Sequence, residues 1–442
     1  MSTIANVAAQ MSRRSSESRT KAWSLTLLLV MLYIINTSDK ALIGLVAQPL
    51  AEEFGLSSSQ IGLLGSVFFV TFTIGGFFAG LLNKWMTLRW SLVVLALVWA
   101  ATMVPVIVVS GFTVLVICRL VLGLAEGPSG ALIYTAAYSW HPTEKRGLPG
   151  ALITCGGSLA KIFVAPLLAI IIGTWGWRAA FIAMSIAGLV WCIAWLTLWR
   201  EGPYGKSLPE KSASCESMSA AKSASVPWLK IFLTPTFLGG VAALIAMYCL
   251  FTVVLTWLPS YFEKGLGYSR VNSGIMFAIP SLVGMVALIL TTGISDRLLS
   301  RGGSARILRG VLPAVALLIC GISLAALPYI NNPALAVTVM SLGYGVGNIN
   351  FPLINAAVSQ ICPPKQVAGT LGVLLALMAV GGLVAPFATG LIVDAAVTPA
   401  VGYATAFQIF GIVAVVAALI ALVTINPTRD AARVHGKTLV AS

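Results

Sequence analysis

Apolar runs of about 20 residues, each long enough to cross the hydrocarbon layer of a bilayer, follow one another along almost the whole chain with only short polar breaks between them. The breaks place helices at about 22–48, 59–82, 90–109, 112–139, 148–173 and 178–199, and then at about 236–260, 273–293, 309–328, 334–360, 366–390 and 403–425. Composition points the same way: 58% of the 442 residues are hydrophobic and 9% are charged, whereas a soluble domain carries roughly a quarter of its residues as Asp, Glu, Lys and Arg. The sequence therefore predicts an all-α membrane protein of twelve transmembrane helices.

Between the two sets of six lies the longest polar stretch, 201–230, whose Ser, Ala, Lys, Glu and Pro give it the composition of a flexible linker. The expected organisation is an N-terminal tail at 1–21, a six-helix bundle at 22–200, the linker, a second six-helix bundle at 231–425 and a C-terminal tail at 426–442. The first 21 residues read as a short disordered tail. They do not read as part of a cleavable signal, because the apolar run that follows is too long and contains Asp39 and Lys40.

Nearly all loop cations fall in the tails, the linker and alternate loops, while the opposite side carries Arg178, Lys264 and Arg270. By the positive-inside rule both termini and the linker face the cytoplasm. The formal charge of +14 is then mostly a topology signal, with a minor role at anionic lipid headgroups, and it calls for no nucleic-acid partner. The seven cysteines are scattered without metal-ligand spacing and read as small packing residues. No metal or cofactor is expected, the chain is expected to be a monomer in the lipid bilayer, and the compact loops suggest a bacterial plasma membrane.

The two halves resemble each other at an offset of about 212 residues. Gly55-Leu56-Ser57 followed by Gly62 recurs as Gly267-Tyr268-Ser269 followed by Gly274, and Gly80-Leu81-Leu82-Asn83-Lys84 parallels Gly293-Ile294-Ser295-Asp296-Arg297. The same order at the same offset implies two parallel six-helix bundles that rock about a midplane site.

At these residues the chain resembles the major facilitator superfamily, whose members carry a G-x-x-x-D-R-x-G-type loop after the second and eighth helices; Asp296-Arg297 keeps the pattern and Asn83-Lys84 is a weakened copy. Within it the chain resembles the anion:cation symporter branch. The segments concerned are Ser38-Asp39-Lys40, the run from Arg119 to Pro128 (RLVLGLAEGP), Thr256-Trp257-Leu258-Pro259, the run from Asp296 to Gly303, and the run from Pro364 to Thr370. The resemblance implies the major facilitator fold and proton- or sodium-coupled symport of organic acids, with Asn83, Lys84, Asp296 and Arg297 as cytoplasmic gating contacts. Departures bear on the substrate: the branch usually has Arg at Lys40, Tyr at Phe72, and Asn at Leu375 and Ala379. The lost hydrogen-bonding groups favour a less hydroxylated, aromatic carboxylate over a sugar acid, because an unpaired buried polar group costs about 1 to 3 kcal/mol.

Independently of the family, charges inside apolar runs mark function, since each costs on the order of 3 kcal/mol at mid-bilayer. Asp39, Lys40, Arg119, Glu126 and Lys161 are such residues. Arg119 and Glu126 are two helical turns apart, roughly 10 Å along one face. Three cations against two acids leave an excess that an anion would neutralise. Lys40 is then the carboxylate ligand, Asp39 and Glu126 bind and release the coupled proton, and Arg119 holds one acid ionised. A purely structural ion pair is the alternative for Arg119 and Glu126. Lys161 reads equally as a second anion ligand or as a snorkelling surface lysine. Trp257 reads as an interfacial anchor or a cavity wall, and Asn348 and Asn350 as pocket donors or as interhelical hydrogen-bonding groups.

The functional expectation is proton-coupled uptake of a small organic anion. The alternatives are a proton-coupled exporter or an anion exchanger of the same fold; the exporter reading lacks its usual Gly-Pro motif, since Pro166 here follows Ala165. A membrane-embedded enzyme or receptor is disfavoured by the absence of any nucleophile or metal-ligand motif.

Overall fold

The computed structural model describes residues 2–78, 82, 85–108, 111–141, 147–200, 202, 226–363 and 366–435. Among these, twelve helices are long and apolar enough to cross a membrane: α1 (Thr20–Phe54), α2 (Ser58–Phe77), α3 (Leu88–Val108), α4 (Phe112–Tyr138), α5 (Pro149–Trp175), α6 (Trp177–Leu198), α7 (Pro235–Gly265), α8 (Arg270–Leu299), α9 (Ile307–Ala325), α10 (Pro333–Ile361), α11 (Gly369–Ala395) and α12 (Pro399–Thr424). Three of them start alike. Thr234, Asn332 and Thr398 accept hydrogen bonds from amides of the first turn, and each is followed by a proline at the first helical position, where its missing N–H costs nothing.

The residues expected to form a loose N-terminal tail are helical, since the backbone of α1 is continuous from Ser2. Extending an existing helix needs no new nucleus, and the segment contains good helix formers such as Ala5, Ala8, Ala9, Gln10, Arg13 and Arg14. Asp296 and Arg297, expected in the loop after the eighth helix, lie inside α8. That helix stops only where Gly302 adopts φ 87° and the amides of Gly302 and Gly303 bond back to Leu299 and Leu298. Of the linker, 203–225 lie outside the described residues; its end carries a short helix, Trp228–Phe232, preceded by reciprocal hydrogen bonds between Val226 and the Gln366 amide.

The helices form two compact units. One comprises Met1–Lys40, Val70–Ala160 and Trp175–Ser214, the other Ala41–Phe69, Lys161–Thr174 and Cys215–Ser442. The division thus runs through the middle of α1, α2 and α5, and the reason lies in small residues. A Cβ on Gly44 of α1 would come within 2.3 Å of the Leu255 carbonyl oxygen of α7, and one on Gly62 of α2 within 2.3 Å of the Pro386 oxygen of α11. Such backbone-to-backbone approach is how helices adhere where lipid removes any hydrophobic driving force between them. In the first unit α6 is pinned by its tryptophans. Trp191 donates to Leu28 O at 2.7 Å and Trp195 to Arg89 O at 3.1 Å, while Arg89 donates to Leu196 O at 2.6 Å.

Beyond α12 the expected tail carries a docked helix, α13 (Pro427–His435). Its buried Asp430 accepts from the Thr236 amide at 2.9 Å, the Thr236 hydroxyl at 2.7 Å and Arg429 at 2.8 Å. Burial alone would raise the Asp430 carboxyl, but the bonds from Arg429 and Thr236 outweigh it and hold it below the ordinary value. Asp430→Asn is expected to cost on the order of 2 kcal/mol and to lower the melting midpoint of the purified protein near neutral pH. Because the folded carboxyl is depressed, its stabilisation is fully present above about pH 4 and is lost as pH falls through the folded value. Melting curves of wild type and variant should therefore converge in acid; a gap that persists unchanged to about pH 3 would refute the assignment.

Candidate functional site

In the first unit the structure brings together four of the charges singled out in the apolar runs. Asp39 and Lys40 come from α1, and Arg119 and Glu126 from α4. Glu126 is fully buried and Asp39 is 2% exposed. The Lys40 ammonium lies 2.9 Å from Glu126 Oε2 and donates to Asn36 Oδ1, one turn back on its own helix. It also sits 4.9 Å from the centre of the Phe72 ring of α2. Arg119 donates to the backbone oxygen of Asp39 at 3.4 Å. Asp39 Oδ1 and Glu126 Oε1 have no hydrogen-bond partner among the described residues.

Local sequence explains why Glu126 stands where it does. Pro128 cannot donate to the preceding turn, so α4 breaks into Phe112–Glu126 and Ser129–Tyr138. The Ser129 hydroxyl donates to the Glu126 carbonyl and accepts from the Asn36 amide at 3.5 Å. Gly127 lets α2 approach: a Cβ there would lie 2.2 Å from the Phe72 oxygen. The same contact brings the Phe72 ring towards Lys40. Where the resembling branch has Tyr, a bare ring face receives the ammonium through its quadrupole, an attraction that needs no hydroxyl.

The other sequence candidates lie in the second unit or outside the described residues. Lys161 is 9% exposed, on a π-helical turn, Ala160–Val164, with its ammonium 5.1 Å from the Phe251 ring centre. Trp257 is 1% exposed; its indole N–H donates to Pro386 O at 2.9 Å, and its ring packs against Tyr403, so here it serves the α7–α11 contact. Asn348 and Asn350 flank the break in α10 and bond back to Tyr344 O and Gly347 O, both at 2.9 Å, leaving the buried Asn350 Oδ1 without a partner among the described residues. Arg297 is exposed. Asn83, Lys84 and the side chain of Asp296 lie outside the described residues.

Sequence reasoning passed over a second polar constellation in this unit. Glu52, at the end of α1, meets Lys264 at 3.1 Å and Arg270 at 2.9 Å, and Arg270 also meets Glu263 at 3.0 Å. Asp394 of α11 accepts from the Ser58 and Ser59 amides, both at 2.7 Å, at the N-terminus of α2, where orphan donors and the helix dipole favour a carboxylate. Lys264 and Arg270 stood out in the sequence only as cations on the sparse side.

A family model described as Major Facilitator Superfamily matches residues 29–350 and 309–439. The chain belongs to the major facilitator superfamily. It is therefore a membrane transporter and not an enzyme. Among curated relatives, a hexuronate transporter of Bacillus subtilis (strain 168) is 27% identical, with 91% of this chain and 94% of the relative covered. A probable sulfoacetate transporter of Cupriavidus necator is 26% identical over 82% of this chain and 85% of its own length. A solved D-xylose-proton symporter superposes with a TM-score of 0.77 at 18% identity, covering 92% of this chain and 99% of that one; at that identity the likeness is one of fold.

In this superfamily member, Lys40 is what keeps Glu126 from being an unpaired buried carboxylate. Lys40→Met should cost about 3 kcal/mol, as for other broken buried pairs, while the double variant Lys40→Met with Glu126→Gln should recover most of the loss. Thermal unfolding of the three variants checks this. A double variant that melts at the sum of the two single losses would show that the residues do not form a coupled pair.

Proposed function

We propose that the protein takes up a small organic anion, a carboxylate, in symport with protons. The observation that carries this reading is the charge balance of the buried cluster. Its two acids and two cations cancel when all are ionised. Adding one proton to Asp39 or Glu126 leaves a net positive charge in a region where an uncompensated charge is costly, and one carboxylate restores neutrality. Proton and anion are thereby favoured together and disfavoured apart, which is the thermodynamic requirement for coupling.

Lys40 is the group that serves both partners. Its ammonium holds Glu126 in the unprotonated cluster, and once Glu126 is neutral its charge-assisted hydrogen bond is available to an incoming carboxylate. Asp39, with an unpartnered oxygen, is the second proton acceptor, and Arg119 anchors the α1 backbone beside it. The relatives' names support an anionic cargo: hexuronate and sulfoacetate are both small organic anions. The distribution of loop cations supports cytoplasmic termini, and the bacterial relatives support a plasma membrane.

Purified protein in proteoliposomes, given sugar acids, aromatic carboxylates and neutral amides with and without an inward proton gradient, tests this directly. Gradient-stimulated uptake of a carboxylate but not of its amide is expected. Glu126→Gln should reduce that stimulation to background while anion exchange across the membrane persists. Unchanged concentrative uptake by the variant would remove Glu126 from coupling, and movement of neutral or cationic compounds alone would overturn the anion reading.

A further inference from the structure

Lys161 is left over from the cluster just described, and its surroundings differ in kind. The residue is more than nine-tenths buried, yet among the described residues its ammonium has no acid and no hydrogen-bond acceptor, only the Phe251 ring at 5.1 Å. A snorkelling lysine would carry its charge out to the interface, whereas this residue is only 9% exposed. It stands on the π-helical turn Ala160–Val164. Such a turn inserts one extra residue, re-aims the side chains around it, and recurs at functional positions.

Around Phe251 the same unit assembles a wall of rings from α2, α7 and α10. Tyr248 stacks on Phe251, with centroids 5.4 Å apart and planes 19° from parallel. Phe351 stands edge-on to both, at 6.4 Å and 6.2 Å with interplanar angles of 88° and 83°. Phe69 stands edge-on to Tyr248 at 5.9 Å. Tyr248, Phe251 and Phe351 are only half-buried, so part of the surface of each residue is accessible. The wall supplies quadrupoles, with negative faces and positive edges, and hardly any hydrogen-bonding groups.

We infer that Lys161 and the rings of Tyr248, Phe251 and Phe351 form a subsite for a carboxylate carried on an aromatic ring. The carboxylate neutralises the stranded ammonium through a charge-assisted bond, and the ligand ring takes offset or edge-to-face positions among the side-chain rings. A sugar acid would leave its hydroxyls facing hydrocarbon there, which is unfavourable. This rests on the organic-anion transport reading and narrows its substrate class.

Equilibrium binding to the full chain in phosphatidylcholine nanodiscs, followed by tryptophan fluorescence, tests it with benzoate, cyclohexanecarboxylate, benzamide and galacturonate. Benzoate should bind about tenfold or more tightly than benzamide and severalfold more tightly than cyclohexanecarboxylate. Lys161→Met should weaken benzoate about tenfold or more without lowering the melting midpoint, because the variant removes an unpaired buried charge. Phe251→Leu should bring the benzoate-to-cyclohexanecarboxylate ratio down towards one. Wild-type benzoate affinity in Lys161→Met, or equal affinity of the wild type for the two ring carboxylates, overturns the subsite. Binding of galacturonate but not benzoate overturns it while leaving anion transport standing; if no anion binds or is taken up, both readings fall.

Discussion

Hydrocarbon offers a backbone amide or carbonyl nothing to bond with, and each such group left unpaired there costs several kcal/mol. The architecture follows from that constraint. Helices satisfy their own backbones, three of their starts are closed by Thr or Asn caps followed by proline, and the indole N–H groups of Trp191, Trp195 and Trp257 are spent on carbonyls of neighbouring helices. At the break in α10 the side-chain amides of Asn348 and Asn350 take over the carbonyls of Tyr344 and Gly347. Lipid gives no hydrophobic reward for bringing helices together, so cohesion comes from glycines that let backbones touch.

The same scarcity of partners governs the charges. Lys40 meets Glu126, Asn36 and the face of Phe72 at once, so each departure from the resembling branch is intelligible beside the other. An Arg fork would want more acceptors than a carboxylate and one amide supply, while a compact ammonium suits them and rests on a ring without a hydroxyl. Protonation of Glu126 would leave that ammonium needing an anion, and in such surroundings charge neutrality is a strong energetic requirement.

How much of this could be read from the sequence depended on whether the signal was one-dimensional. Apolar runs are local, so all twelve helices and most of their ends were legible. Charges interrupting such runs are equally conspicuous, and Asp39, Lys40, Arg119 and Glu126 do gather in one unit. Asn36 and Ser129 escaped notice because a neutral polar residue in a membrane helix is unremarkable until its neighbours are known, and Phe72 stood out only as a departure from the resembling branch, not as the ring beside Lys40. Trp257 read as a cavity or interface residue, yet its N–H serves the Pro386 carbonyl, a partner 129 residues away. The boundary that cuts α1, α2 and α5 was illegible for the same reason: it is set by where Gly44 and Gly62 meet Leu255 and Pro386, not by any break in composition.

The contacts that hold these helices fall into two energetic classes, and the difference bears on how a carrier of this kind can move. The pairs of Glu52 with Lys264 and Arg270 are partly exposed, so water screens them and each is worth at most about 1 kcal/mol. They can be made and broken at little cost. The Lys40–Glu126 pair is buried, and separating it without supplying a proton or an anion would strand two charges. On the proposed reading, rearrangement would proceed through the weak peripheral ties while the buried cluster changes only by exchanging one neutral arrangement for another. A proton and a carboxylate entering together satisfy that condition, whereas either one alone leaves the cluster charged and the protein held where it is.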